Sequence, residues 1–302
     1  MSSSYGTKPW AIVLAGGEGT RVQPFLAELC GGSGIKQFCT IRGNRSMLQQ
    51  TIDRIADFTF TERILVSLNS SHRREATEQL RDLPEENLIF QPVNLDTAPG
   101  ILLPLAYISA SDPHAVVAVF PSDHFIRDEK LFVACANRAA RQLSKYPKSL
   151  ILLGVAPEYP EESYGWIEPA IVQHEQETAA VRAFYEKPDA NQARKLMLRG
   201  SLWNTFVFVV RAEVLWKMVS LAADELYCIF STIRLMLPSE HTRSVIEFAY
   251  RSLRPVNFSS AILSKSNAHL RVLRVPEVGW SDWGTKERIL ASEERFRGMP
   301  IA

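Results

Sequence analysis

The chain has 302 residues, of which 46% are hydrophobic and 22% charged, with a formal net charge of +1. Those values suit a globular chain with a sizeable core, and they argue against a basic nucleic-acid surface or a charge block that would seek a membrane. The four cysteines, Cys30, Cys39, Cys135 and Cys228, show no C-x-x-C spacing and read as reduced thiols, not as a disulfide framework or a metal site.

Residues 1–8 contain no apolar stretch, and apolar runs such as 115–120 and 206–210 have only strand length. Neither a secretory signal nor a membrane span is expected, which makes the cytoplasm the expected compartment. The apolar run 10–14 reads as a buried strand opening a parallel sheet. It feeds Gly16-Gly17-Glu18-Gly19-Thr20-Arg21. Glycines let the backbone turn sharply and approach a ligand. Their free N–H groups make an anion-binding hollow, and Arg21 adds a planar fork of donors suited to phosphate. Two better-known phosphate loops fail here. No lysine follows the last glycine as G-x-x-x-x-G-K-[ST] requires, and Val22 stands where G-x-G-x-x-G needs glycine. Taken alone, the loop is equally an ordinary strand-end turn.

Ser46-Met47-Leu48-Gln49 reads as a capping box opening a helix, with Leu48, Thr51, Ile52, Ile55 and Ala56 on one face. A strand at 63–68, a helix at 72–81, a strand at 88–90 and a helix from 97 or 98 through 110 follow. Pro99 fits the first turn of that helix, whereas Pro104 predicts a kink or break. Then come a strand at 115–120, a helix at 131–144 and a strand at 150–155. This β-α-β rhythm predicts an α/β fold with a mostly parallel central sheet wound by helices on both faces. Beyond 160 the rhythm changes: strands at 165–172 and 179–185 joined by the polar stretch 173–178, a helix capped by Asp189 to Arg199 and closed by Gly200, and a strand at 203–210. One continuous domain over 8–295 is expected, with residues 238–302 a candidate small C-terminal subdomain.

Five segments carry chemistry. Lys36-Gln37-Phe38 follows a glycine-rich connection, and Pro121-Ser122-Asp123-His124 ends a strand, where open α/β sheets place ligands. Tyr164-Gly165-Trp166-Ile167-Glu168 opens a strand, Phe184-Tyr185-Glu186-Lys187-Pro188 closes one, and Trp280-Ser281-Asp282-Trp283-Gly284 comes near the C-terminus. By itself Asp123 is a turn cap, Lys36 a solvated charge and His124 structural. Asp282 is harder to set aside, because a carboxylate among aromatics is costly unless paired or metal-bound. Trp166, Trp203, Trp280 and Trp283 read as core or pocket wall. Gln91 and Thr97 either face a base or serve as strand end and helix cap.

In this order, together with Asp96-Thr97-Ala98-Pro99 and Trp203-Asn204, these segments resemble the sugar-1-phosphate nucleotidyltransferases, most nearly the mannose-1-phosphate guanylyltransferases, from about Trp10 to Leu290. The resemblance implies a single Rossmann-like domain and the reaction NTP + sugar 1-phosphate → NDP-sugar + pyrophosphate. It implies Mg²⁺, held by Asp123 and Asp282, since hard oxygen ligands suit that ion. Leu14, Ala15, Gly16, Gly17, Gly19, Thr20 and Thr97 would hold the nucleotide, Arg21 the leaving pyrophosphate, and Lys36 the charge at the α-phosphate. Tyr164 and Gly165 would lie along the sugar, Glu186 and Asn204 would bind its hydroxyls, and Lys187 its phosphate. GTP and mannose 1-phosphate, giving GDP-mannose, are the expected pair. The alternatives are a uridylyl- or thymidylyltransferase for glucose 1-phosphate or a related sugar, and a silent NDP-sugar-binding regulator. No nucleic-acid or membrane partner and no C-terminal β-rich domain are expected, and a homodimer is left open.

The chain departs from the family pattern at two places. No proline directly precedes Lys36, and Trp203-Asn204-Thr205-Phe206 stands where the family has Trp-Asn-Ser-Gly.

Overall fold

The computed structural model describes residues 8–31, 34–170, 176–237 and 239–297. In chain order they form β1 (Trp10–Ala15), α1 (Gln23–Cys30), α2 (Met47–Arg54), β2 (Ile64–Asn69), α3 (Arg73–Gln79), β3 (Leu88–Gln91), α4 (Thr97–Ser111), β4 (Val116–Pro121), α5 (Glu129–Gln142) and β5 (Leu150–Val155). The second half contributes β6 (Gly165–Pro169), β7 (Thr178–Glu186), α6 (Ala190–Leu198), β8 (Leu202–Arg211), α7 (Ala212–Ala222), α8 (Asp224–Met236), α9 (Thr242–Ser252), α10 (Phe258–Ala261), β9 (Leu270–Arg274) and α11 (Lys286–Arg295).

The strands share one sheet in the order β3-β2-β1-β4-β8-β5-β9-β7-β6. Its first half is parallel, β1 pairing β2 and β4 and β2 pairing β3, as the β-α-β rhythm predicts. The second half is not. β8 runs antiparallel to β4 and β5, and β6 and β7 pair antiparallel, so the sheet is mixed and not mostly parallel. Parallel neighbours need a long crossover, whereas antiparallel neighbours do not. The helical crossovers that supply it alternate regularly only as far as β5. The first residues of β8 also pair β6, at Trp166↔Trp203 and Ile167↔Leu202, so β8, β5, β9, β7 and β6 close into a circuit. Residues after 238, read from the sequence as a candidate subdomain, supply β9 to this same sheet between β5 and β7.

Strand periodicity sorts the core. Successive residues of β1 point to opposite faces, so Ile12 joins a cluster with Ile101, Leu102 and Leu105 of α4 and with residues of α7 and α8. Ala11 and Val13 join Leu48 of α2 and Phe132 and Ala136 of α5 on the other face. Each fully buried leucine or phenylalanine contributes about 1.5–3 kcal/mol, and those two layers hold the sheet edges that carry the site.

Local signals set several boundaries as expected. Ser46 caps α2 reciprocally: Gln49 N–H donates to Ser46 Oγ at 3.2 Å, and Ser46 N–H donates to Gln49 Oε1 at 3.1 Å. Asp189 caps α6, and Gly200 follows it at φ 74°. α4 departs from expectation by continuing through Pro104 without a break. Residues 98–106 of α4 are buried without exception, packed against the sheet and α8, so tertiary packing offsets the lost backbone hydrogen bond. The predicted strand 165–172 ends at Pro169, and residues 171–175 of that strand and its connection lie outside the described residues. Among the described residues, no helix is long and apolar enough to cross a membrane.

Candidate active site

The carboxyl ends of β1 and β4 and the near ends of β6 and β8 border a cleft of about 300 Å³. Leu14, Ala15, Gly16, Gly17 and Gly19 line one wall, with Thr97 from the start of α4. Asp123, just past β4, and Asp282, in the segment before α11, line the floor beside them. Tyr164, Gly165, Glu186 and Asn204 line the far end. The structure therefore gathers most of the sequence-predicted residues around one cavity. Thr20 and Arg21 are exposed at the turn after Gly19 and are not among the lining residues. Lys187 also stays outside, its side chain 60% exposed and 3.9 Å from Glu186 Oε1.

The glycine wall is shaped from behind by Gln37, to which the sequence reading attached no role. Its Nε2 donates to the carbonyls of Ala15 at 2.9 Å and Gly17 at 2.7 Å. Gly19 sits at φ 61°, which L side chains adopt only with strain. At the far end Gly165 makes room: a Cβ there would stand 2.9 Å from Phe184 and 3.0 Å from Glu186 Oε2.

Lys36 is buried, and its ammonium finds three acceptors: Asp123 Oδ2 at 2.8 Å, the Asp282 carbonyl at 2.6 Å and the Trp283 carbonyl at 3.3 Å. It thus ties the end of β4 to the segment before α11, which are 159 positions apart by subtraction of 123 from 282. Burial acts to raise the Asp123 carboxyl, but the Lys36 ammonium overcomes it and holds the group below the usual aspartate value of 3.8.

Asp282 is fixed just as firmly. Its Oδ1 accepts from the Tyr164 hydroxyl at 2.8 Å, Gly284 N–H at 2.9 Å and Arg288 Nη1 at 2.9 Å. Arg288 continues to Ser163 Oγ at 2.9 Å and Glu161 Oε2 at 2.6 Å, and its guanidinium lies 4.5 Å from the centre of the Tyr164 ring. Against the raising effect of burial, Arg288 holds Asp282 below its usual value, and hydrogen bonds from Ser163, aided by Arg288, do the same for Glu161. Arg288 is a residue that local sequence patterns do not single out, because three of its four partners lie far away in the sequence, at 161–164.

His124, read from the sequence as structural, lines the cleft with its Nε2 3.8 Å from Asp123 Oδ1. Trp280 Nε1–H donates to His124 Nδ1 at 3.3 Å, and burial lowers the imidazole below its usual 6.5, leaving it neutral near pH 7. Trp203 and Trp280 pack against Tyr164 as pocket wall, and Trp283 stacks on Phe125 in a separate core cluster.

Two carboxylates facing one cleft suit a hard divalent cation whose shell is completed by phosphate oxygens and water, the usual mode for Mg²⁺. No group of three or more His, Cys, Asp or Glu side chains stands ready to hold a metal among the described residues. The donor set fits an ion that arrives with its anionic ligand.

Glu186 yields a pH prediction. Burial raises its carboxyl above the ordinary 4.5, with Lys187 and a hydrogen bond from Ser259 opposing. As pH falls, it loses its acceptor charge earlier than an ordinary glutamate. Because the folded value lies above the unfolded one, its ionisation costs stability at pH above both values and nothing below both. Glu186→Gln is therefore expected to raise Tm near pH 8 and leave it unchanged near pH 3. A pH series of thermal melts checks this; equal shifts at both ends would contradict it.

Comparison with known proteins gives the chain's family. The model of the nucleotidyl transferase family matches residues 10–296. Mannose-1-phosphate guanylyltransferase RfbM of Salmonella typhimurium is 33% identical over 223 residues, 72% of this chain and 44% of that protein. Mannose-1-phosphate guanylyltransferase of Salmonella montevideo is 29% identical over 289 residues, 91% of this chain and 58% of that protein. The chain spans about half the length of the curated relatives it matches. Among solved structures, mannose-1-phosphate geranyltransferase from Thermus thermophilus superposes with a TM-score of 0.79 at 22% identity, over 94% of this chain and 80% of that one. UDP-glucose pyrophosphorylase from Acinetobacter baumanii gives 0.56 at 16% identity, over 96% and 93%. At those identities the likeness to the solved structures is one of fold.

Proposed function

The chain belongs to the nucleotidyl transferase family, and from that premise we propose that it joins an NTP to a sugar 1-phosphate, with GTP and mannose 1-phosphate as the substrate pair. The observation that carries this reading is the cleft itself. A glycine wall, Asp123 and Asp282 with Lys36 buried behind them, and the polar end at Glu186 and Asn204 border one cavity. A nucleotide laid along the first would bring its α-phosphate to the second and leave a sugar at the third.

In the reaction a phosphate oxygen of the sugar 1-phosphate forms a bond to the α-phosphorus, the bond from that phosphorus to the β-phosphate bridging oxygen breaks, and pyrophosphate leaves. Such a transfer needs in-line positioning and charge neutralisation more than covalent help. The glycine wall orients the phosphates, Glu186 and Asn204 orient the sugar, and Lys36 offers positive charge where negative charge gathers. Asp123 and Asp282 would hold Mg²⁺, which when bound supplies further neutralisation of phosphate charge.

Pyrophosphate release measured over a matrix of NTPs and sugar 1-phosphates tests the reading. Release with a sugar 1-phosphate is expected. Tight NDP-sugar binding with no release from any pair would replace the enzyme with a silent binding protein. Chelation by EDTA is expected to abolish turnover. Asp123→Asn and Asp282→Asn should each raise the Mg²⁺ concentration for half-maximal rate at least as much as the roughly 10–100-fold cost of losing an outer-shell partner. Binding of Mn²⁺ with nucleotide, followed by electron paramagnetic resonance, should weaken in parallel; unchanged binding in both variants would remove the metal from these residues.

A further inference from the structure

Phe206 has backbone φ 60°. That is the left-handed region, which a bulky L residue occupies only under strain and glycine occupies freely. The strain is built in by a bulge. Along β8 and β5 the paired positions are Leu152↔Phe208 and Gly154↔Asn204, so residues 205–207 of β8 stand opposite Leu153 alone. Bulges re-aim side chains beside functional sites. This one is locked on both sides: Phe206 N–H donates to Asn204 Oδ1 at 3.1 Å, and Thr205 Oγ1 donates to the Leu153 carbonyl at 2.8 Å and accepts from Val207 N–H at 3.3 Å.

The conformation turns Phe206 into the cleft beside Asn204, Glu186 and Ser259. Its ring meets Phe258 edge-on, centroids 6.3 Å apart, and Phe208 at 6.5 Å, while Phe208 and Phe258 stack at 5.3 Å. The sugar end is therefore polar at Asn204, Glu186 and Ser259 and apolar at the Phe206 ring, which the buried Phe208 and Phe258 hold from behind. A hydroxyl pressed against that ring finds no partner and pays its desolvation, whereas a carbon lacking oxygen fits.

We propose that Phe206 is a specificity-determining residue that selects hexose 1-phosphates presenting a deoxygenated carbon to its ring, which the buried Phe258 backs. This rests on the sugar-1-phosphate transfer read above and, within it, puts a deoxy analogue in place of mannose 1-phosphate as the preferred acceptor. A persistent backbone outlier at a ligand site marks strain retained for what it positions.

The test uses GTP with mannose 1-phosphate and its 2-, 3-, 4- and 6-deoxy analogues, measuring kcat/KM by pyrophosphate release for the native chain, Phe206→Gly and Phe206→Ala. The native enzyme is expected to use one analogue at least as well as mannose 1-phosphate. Phe206→Gly is expected to cut that analogue's ratio to the parent by about 10-fold or more, leaving the other ratios within about threefold. Both variants lose the ring, but only glycine relieves the backbone, so Phe206→Gly should melt above Phe206→Ala by roughly 2–4 °C. Ratios that stay flat in Phe206→Gly while turnover persists would overturn the proposal and spare the enzyme reading. An alanine variant melting at or above the glycine variant would also overturn it. Absence of turnover with every sugar would overturn both.

Discussion

Lys36→Ala is expected to lower kcat/KM by about 10²–10³ and to lower Tm as well, whereas Arg21→Ala is expected to lower the rate alone. The difference follows from where the two cations sit. Arg21 is exposed at the turn after the glycine wall, and exposed substitutions usually change stability by no more than about 0.5 kcal/mol. Lys36 is buried, with Asp123 and two backbone carbonyls around its ammonium. Breaking a buried ion pair costs about 3–5 kcal/mol. The Asp123 side chain, however, is 37% exposed, and water can take over part of its solvation. A loss of about 1–3 kcal/mol is the better expectation, read as roughly 2–4 °C of Tm per kcal/mol. The sequence alone predicts that both variants depress turnover far more than stability; burial of Lys36 revises that for one of the two. Thermal melts and kinetics on the same preparations decide it. Near-normal turnover in Lys36→Ala would remove Lys36 from the reaction, and an unchanged Tm would show that its three contacts hold nothing together.

How much of this is legible before folding depends on how local the signal is. The glycine wall reads only in company: alone it is equally a strand-end turn, and the ordered segments that follow it in the chain decide between the two. Asp123 reads from its place at a strand end, and the cap at Ser46 from four consecutive residues. Arg288 does not read, since its meaning lies in Glu161, Ser163, Tyr164 and Asp282, brought together by β6 and the segment before α11. β9 escapes for a related reason: Leu270–Arg274, with two arginines in five residues and no clean alternation, carries no strong strand signal, yet the fold places it between β5 and β7. Pro104 shows the opposite error, a strong local signal overruled by burial on every side. The Phe206 bulge combines both cases. Phenylalanine inside an apolar strand looks ordinary, and only the pairing of β8 with β5 shows that the backbone there is strained.

GTP is expected to exceed UTP and dTTP in kcat/KM by about 10²-fold or more. Beside Gly16 and Gly17 the cleft opens into a lobe lined by Ser67, Gln91, Asn94, Asp96, Thr97 and Gly100. Its polar groups are held, not loose. Gln91 Nε2 donates to Ser67 Oγ at 3.2 Å, and its Oε1 accepts from the buried Tyr250 hydroxyl at 3.1 Å, which fixes the orientation of the amide. Asp96 caps α4 at φ 69°, accepting from Thr97 N–H at 2.6 Å. The Thr97 hydroxyl oxygen accepts from Phe258 N–H at 2.8 Å, so its own hydrogen is what remains for a ligand. The lobe thus joins fixed donors from Gln91 and Thr97 to a carboxylate acceptor at Asp96. Guanine offers both kinds of partner, a carbonyl acceptor and an exocyclic amino donor. Guanine can turn two adjacent donors, its ring N1–H and its amino group, toward one carboxylate, whereas uracil and thymine offer the single N3–H and would leave one carboxylate oxygen unpaired. Asp96 is exposed in the free chain, so the discrimination arises only as the bound base covers its carboxylate from water and leaves an oxygen without a partner. Competition of GTP against UTP and dTTP with one sugar 1-phosphate reads the ratio, and Gln91→Ala should reduce it by loosening the frame. A pyrimidine nucleotide that matched GTP would end the guanylyl reading and leave nucleotidyl transfer standing.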